Sequence, residues 1–321
     1  MRSLIAVSVL VLSSALVTAH AQGYPTRPVR LIVPQAPGSS SDTLARVVAA
    51  DLSRQLGQQV IVDNRAGGAL MIGMELVARA VPDGYTIGYA PIGALAISPH
   101  LVRKVPFDVN KDFQPIAQTA NGTMLLAASP ASPFRSVRDV IEYAKQNPGK
   151  LSNASSGNGT PGHVGFELFK VMTATQIVHV PYKGGAAAIS DLATGQVQLM
   201  LEGMNSITPH AKSGRVRALA VSTARRSDAL PEVPTMAEAG VPGYAASTWN
   251  GIVGPAGMPK AIVAKLNGEI NKALATPAMK DRFSAMGAEP AIMTPEQFGE
   301  LIQTEYMKWG DVVRRSGAQM D

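Results

Sequence analysis

Short apolar runs alternate with helical apolar spacings along this chain. Val29–Val33 is a β-rich run closed by Pro34, and beyond a Pro/Gly/Ser loop Leu44, Val47, Val48 and Leu52 recur at helical spacing. Val60, Ile61 and Val62 read as a second strand. Residues 73–81 read as a helix that stops at Pro82-Asp83-Gly84, a turn signal, and residues 86–89 begin a third strand. This βαβαβ order predicts a parallel sheet with crossover helices.

A second series follows. Residues 124–128, 151–154, 177–180, 197–201 and 218–221 read as strands, with helical patterns at 137–145, 163–172 and 186–192. From Pro259 the pattern is helical, over 262–274, 278–286 and 295–315. Two α/β units with a helical tail suggest that the chain leaves a first lobe, builds a second and returns, crossing near 119–123 and 244–250. The expected lobes are 22–121 plus 247–321, and 122–246. In such sheets ligands bind at loops beyond the carboxyl ends of the strands, so two facing lobes would make a cleft.

The N-terminus departs from this pattern. Arg2, an apolar run over 4–17 and Ala19-His20-Ala21 form a signal-peptide pattern, with cleavage expected after Ala21. The chain has no Cys, so its stability does not depend on disulfides, and a soluble periplasmic protein is the simplest expectation. The formal net charge is +6, and falls to +5 when Arg2 leaves. Lys and Arg are scattered and aromatic content is 5%, which argues against a nucleic-acid partner.

Two loops carry the candidate chemistry. In Gln35-Ala36-Pro37-Gly38-Ser39-Ser40-Ser41-Asp42, Ser39 and Asp42 have capping-box spacing ahead of a helix. Free amides at that helix start suit an anion, and a plain capped helix explains the same residues. The second loop runs from Ser155 through Gly157, Gly159 and Thr160 to His163. Residues 157–162 match G-x-G-x-x-G, but the acidic residue expected about 20 positions on is missing, so a nicotinamide site is rejected. Close backbone approach and free amides still suit an anion.

Three further segments end predicted strands. Ile92 and Gly93 could floor the site or form a simple turn. The stretch 179–185 could bring the Gly184 amide to the cleft, with Lys183 either near a ligand or solvated. Glu202 and Asn205 could meet a ligand amine or hydroxyl, or be a polar loop. Ser155, Asp191 and His163 or His179 supply triad residue types, but no G-x-S-x-G elbow exists. No zinc-ligand spacing occurs, so neither a metal nor a cofactor is expected.

Taken together, these segments resemble the Bug-type receptors of tripartite tricarboxylate transporters. The resemblance rests on Tyr24-Pro25-x-Arg27-Pro28, Ile32-Val33-Pro34, Pro37-Gly38 with Asp42, and Val62-x-Asn64-Arg65. It continues through Pro82-Asp83-Gly84-Tyr85-Thr86, Asp112-Phe113, Ser155-Ser156-Gly157-Asn158-Gly159-Thr160 and Val178-His179-Val180-Pro181-Tyr182-Lys183-Gly184. Pro234-Thr235-x-x-Glu238-Ala239-Gly240 and Pro255-Ala256-Gly257 complete it. It implies a two-lobed, Venus-flytrap α/β binding protein, non-enzymatic and expected to be monomeric. Such a protein would hold a dicarboxylate, amino acid or related acid through loop amides, hydroxyls and water, and pass it to membrane permease subunits. A sensing subunit of the same fold and an exported hydrolase are the rival readings. The family's first loop is usually richer in Gly than Ser39-Ser40-Ser41, and its Asp-Asn-like strand end reads Glu202-Gly203 here. Both departures lie where ligand choice would be set.

Overall fold

The computed structural model describes residues 23–182 and 184–317; the expected signal segment and Lys183 lie outside them. Strand β1 (Val29–Val33) is shielded on both faces, as its unbroken apolar run requires of a central strand. Helix α1 (Ser40–Leu56) starts at the Ser39 cap and ends at Gly57, whose φ of 67° lies in the left-handed region. Then come β2 (Val60–Asn64), α2 (Met71–Ala78) and β3 (Thr86–Pro91). A π-helical turn over Gly93–Ile97 leads into the short α3 (Ser98–Leu101). Strand β4 (Phe113–Gly122) carries the chain to the second lobe.

That lobe holds β5 (Met124–Ala128), α4 (Val137–Gln146), β6 (Ser152–Ser155), α5 (Pro161–Thr173) and β7 (Val178–Pro181). It continues with α6 (Gly185–Thr194), β8 (Leu199–Gly203), α7 (Met204–Lys212) and β9 (Arg217–Val221). Strand β10 (Thr248–Pro255) returns to the first sheet, followed by α8 (Lys260–Leu274), α9 (Pro277–Ala285), β11 (Ala288–Pro290) and α10 (Pro295–Ser316).

Among the described residues the strands form two sheets, ordered β11-β4-β10-β3-β1-β2 and β7-β6-β8-β5-β9. The first βαβαβ unit forms the expected parallel sheet, β2-β1-β3, and the strands at the crossings add antiparallel pairs to it. Strand β10 pairs antiparallel with β3 and β4, and β5 pairs antiparallel with β8 and β9. The cause is the crossing itself, because a strand entering from the other lobe runs against the strands that lead toward it.

The register places the working edges. Strands β1, β2 and β3 run parallel, and Asn250 at the start of β10 lies opposite Pro91 at the end of β3. In the second sheet β6, β7 and β8 run parallel, and Met124 lies opposite Gly203. The chain therefore crosses at the carboxyl edge of each sheet, and the two edges face one another.

Three apolar clusters hold this arrangement. Leu31, Val48, Leu52 and Leu266 fill the outer face of the first sheet, and Ile189, Leu192, Met200 and Ile207 that of the second. A third cluster is shared: Ile32, Met74 and Leu95 join Phe166, Phe169 and Leu201 through Trp249, Phe298 and Trp309. Helix α10 belongs to the first lobe by its position in the chain, yet it packs on α5 of the second as well as on the π-helical turn and β4.

Candidate functional site

The first loop is built around Asp42. Its buried carboxylate accepts from the Gly38 amide at 2.8 Å, Asn64 Nδ2 at 2.9 Å and Arg46 Nε at 3.1 Å. Burial pushes the carboxyl up, but the bonds from Arg46, Gly38 and Asn64 outweigh it and hold the group below the usual carboxylate range. Asn64 also donates to the Gln35 carbonyl at 3.0 Å. Asp42 thus shapes the loop, and its oxygens are already occupied. Gly38 takes a φ of 80°, while Ala36 and Pro37 are exposed.

What this loop presents is a set of donors. Ser39 Oγ accepts from the Asp42 amide at 3.2 Å, which leaves its own proton to give. The Ser40 and Ser41 amides sit at the first two helical positions, where no intrahelical carbonyl reaches them. Ser41 Oγ is turned inward and donates to Asn250 Oδ1 at 2.8 Å. Beside the loop, Gly68, Ala69 and Leu70 take consecutive left-handed conformations, with φ of 54°, 53° and 77°. Helix α2 then packs so closely that a Cβ on Gly73 would lie 2.8 Å from Pro34 Cα.

In the second lobe the hydroxyls are differently placed. Ser155 is fully buried; its Oγ lies 2.6 Å from His179 Nε2 and donates to the Gly157 carbonyl at 3.1 Å. Thr160 Oγ1 caps α5 and donates to that same carbonyl at 2.8 Å. The Gly159 amide donates to His163 Nδ1 at 3.1 Å. Both imidazoles are neutral: burial lowers His163 to about 3 and His179 to about 4. The Ser155 and Thr160 hydroxyls thus hold the loop.

Glu202 closes this lobe. It is partly exposed at the end of β8 and accepts from Ser156 Oγ and, at 3.0 Å, from the Gly203 amide. Burial pushes its carboxyl above the usual carboxylate range, against the bonds from Ser156, Gly203 and Ser206. Gly185 abuts it: a Cβ there would lie 3.2 Å from Ser156 Oγ and 3.6 Å from Glu202 Oε2. Gly184 precedes Gly185 with a φ of 135°.

The two edges nearly touch. Asn205 Nδ2 lies 3.4 Å from Ser40 Oγ, and a Cβ on Gly287 would lie 2.7 Å from Asn205 Cα. A Cβ on Gly93 would lie 3.1 Å from Leu70 Cδ1 and 3.8 Å from the Gly159 carbonyl. Ile92 is a buried core side chain, so only its backbone borders this floor. Gln35 Oε1 is shut off from solvent with no protein partner among the described residues. Two surface hollows, one beside Asp51, Arg54 and Arg282 and one beside Ser129, Phe134 and Gln198, lie elsewhere and contain none of the predicted residues.

The triad residues do not assemble. Ser155 and His179 meet, but Asp191 accepts from the Tyr182 hydroxyl at 2.7 Å, and a fully buried Ser155 offers no nucleophile to a substrate. Sequence reasoning passed over Ser156, Ser206, Leu70 and Gly287. Ser156 stood inside the second loop motif; Gly287 gave no signal, because its role is a contact made across the cleft.

Residues 44–318 match the family model described as the tripartite tricarboxylate transporter family receptor. Protein BugT of Bordetella pertussis is 38% identical over 301 residues, covering 94% of this chain and 92% of BugT. A structure from R. palustris with adipate superposes with a TM-score of 0.82 at 37% identity, covering 92% of this chain and 100% of that one. MatC of Rhodopseudomonas palustris with bound malate gives a TM-score of 0.78 at 30% identity, covering 90% and 100%.

Proposed function

The chain belongs to the tripartite tricarboxylate transporter receptor family, a family of receptors and not of enzymes, and from that premise we propose that it captures a small carboxylate between its two lobes. The reading places it in the periplasm after export and has it deliver its ligand to membrane permease subunits. The lobes are 22–121 plus 247–321, and 122–246, hinged where β4 and β10 leave the first sheet.

The observation that carries this reading is the meeting of two carboxyl edges at Ser40 and Asn205. Strand ends and helix starts converge there from both lobes, which is where α/β sheets take ligands. Among the described residues, neither the first loop nor 155–163 contains Lys or Arg. An anion is therefore held by the Ser40 and Ser41 amides and the Ser39 and Ser40 hydroxyls. Hydrogen bonds to a charged group contribute about 1.5–3 kcal/mol each, so a few suffice for micromolar binding. Adipate and malate in the related structures support a carboxylate. Asp42, Ser155, Thr160 and His163 shape the loops, and Gly93, Glu202 and Asn205 border the ligand.

The test is native mass spectrometry of freshly purified protein, followed by calorimetric titration with the acid it retains and with a panel of mono- and dicarboxylates. Saturable one-to-one binding of an acid, lost in Ser40→Ala with Ser39→Ala, is expected. Retention of a neutral or cationic ligand, with no acid bound, contradicts the reading.

A further inference from the structure

The two halves of the cleft are chemically unequal. The first lobe offers donors: the Ser40 and Ser41 amides and the protons of Ser39 and Ser40. The second lobe offers an acceptor. Glu202 takes the Ser156 hydroxyl and the Gly203 amide, while Ser206 Oγ donates to the Gly203 carbonyl at 3.2 Å. Ser155 and Thr160 donate to the Gly157 carbonyl. Among the described residues the Ser155, Ser156, Thr160 and Ser206 hydroxyls are thus already engaged, that of Ser156 by a carboxylate of the protein itself.

Resting on the carboxylate reading above, we propose that Glu202 sets ligand choice. It makes the second lobe select a hydrogen-bond donor, an ammonium or a hydroxyl, at the end of the ligand remote from its single carboxylate. A ligand carboxylate placed beside Glu202 would meet like charge. An ammonium or hydroxyl would find an oriented acceptor held by Ser156 and Gly203, and a mismatched end would leave a buried group unpaired. Gly185 belongs to the same device. A Cβ there would crowd Ser156 Oγ at 3.2 Å, so the glycine leaves the hydroxyl that holds the carboxylate its place.

Calorimetric titration with length-matched pairs tests this directly: succinate against γ-aminobutyrate, and adipate against ε-aminocaproate. The native protein is expected to bind the amine member of the better-fitting pair at least about tenfold more tightly than the dicarboxylate. Glu202→Gln, which keeps the shape and removes the charge, should shift that ratio about tenfold or more toward the dicarboxylate. Glu202→Asp keeps the charge and should keep the ranking, so a misfolded Glu202→Gln protein would not leave the matter open. Tight binding of a dicarboxylate by the native protein, or an unchanged ratio in Glu202→Gln, overturns the role of Glu202 while the carboxylate reading stands. Failure of every acid to bind either form overturns both.

Discussion

The rings of His163 and His179 stack at 3.9 Å with a 14° tilt, and each holds a different part of the second loop. His163 fixes the Gly159 amide and His179 fixes Ser155. Both are neutral in the fold, so protonation must break the pair. Their folded values, about 3 and about 4, lie below the ordinary 6.5, and the unfolded chain binds more protons in between. The stabilisation is complete above pH 6.5 and declines as pH falls toward 4. Thermal melting across this window should show a loss on the order of a few kcal/mol. His179→Gln should flatten the curve; an equally steep profile in that variant would place the acid sensitivity elsewhere.

Thr160→Val separates loop support from ligand contact. Its hydroxyl caps α5 and donates to the Gly157 carbonyl. Loss of a cap costs about 1 kcal/mol, so the melting temperature should fall while affinity changes little. Ser40→Ala should do the reverse and weaken binding roughly tenfold at nearly constant stability. Calorimetry paired with melting on both variants checks the contrast, and a large affinity loss in Thr160→Val with none in Ser40→Ala would reassign the anion to the second lobe.

Asp42→Ala should be among the costliest single changes in the first loop. It strands Arg46, Asn64 and the Gly38 amide together. A loss of about 2–4 kcal/mol in denaturant unfolding is expected. Because the native carboxyl sits below its ordinary range, its contribution is present above pH 3.8 and disappears under stronger acid.

Gly287→Ala should hold the lobes apart. The residue has a φ of 65°, and its new Cβ would meet Asn205 Cα at 2.7 Å. Trimming the Asn205 side chain cannot relieve a contact with Cα. Left-handed Ala costs about 1–2 kcal/mol by itself. Small-angle scattering should give a larger radius of gyration than native protein in saturating ligand, with weaker binding. Native dimensions in this variant would mean that the lobes do not need to meet at Asn205.

Strands β1 and β5 were readable because their apolar runs are unbroken, whereas the three-residue β11 was too short to show a pattern. The two hinge strands were not readable. Strand β4 contains Pro115, Gln118 and Asn121, and β10 contains Gly251 and Gly254. The two glycines have a tertiary cause invisible in one dimension: a Cβ on Gly251 would collide with Phe298, and one on Gly254 with Met258. Helix α7 was missed because Pro209 lies inside it. The site was legible as loops but not as roles. Nothing in the spacing says that His179 would bond to Ser155 Oγ 24 residues away, or that Glu202 would accept from Ser156.

Helix α10 limits how the molecule can work. A lobe joined only by extended strands could twist, swing and tilt. With α5 seated against α10, across a contact made of side chains such as Phe166, Phe169 and Trp309, most of those freedoms are removed. Packed helices slip past each other by small translations and do not separate cheaply. Movement of the second lobe therefore has to be accommodated by sliding at this contact as well as by bending at β4 and β10.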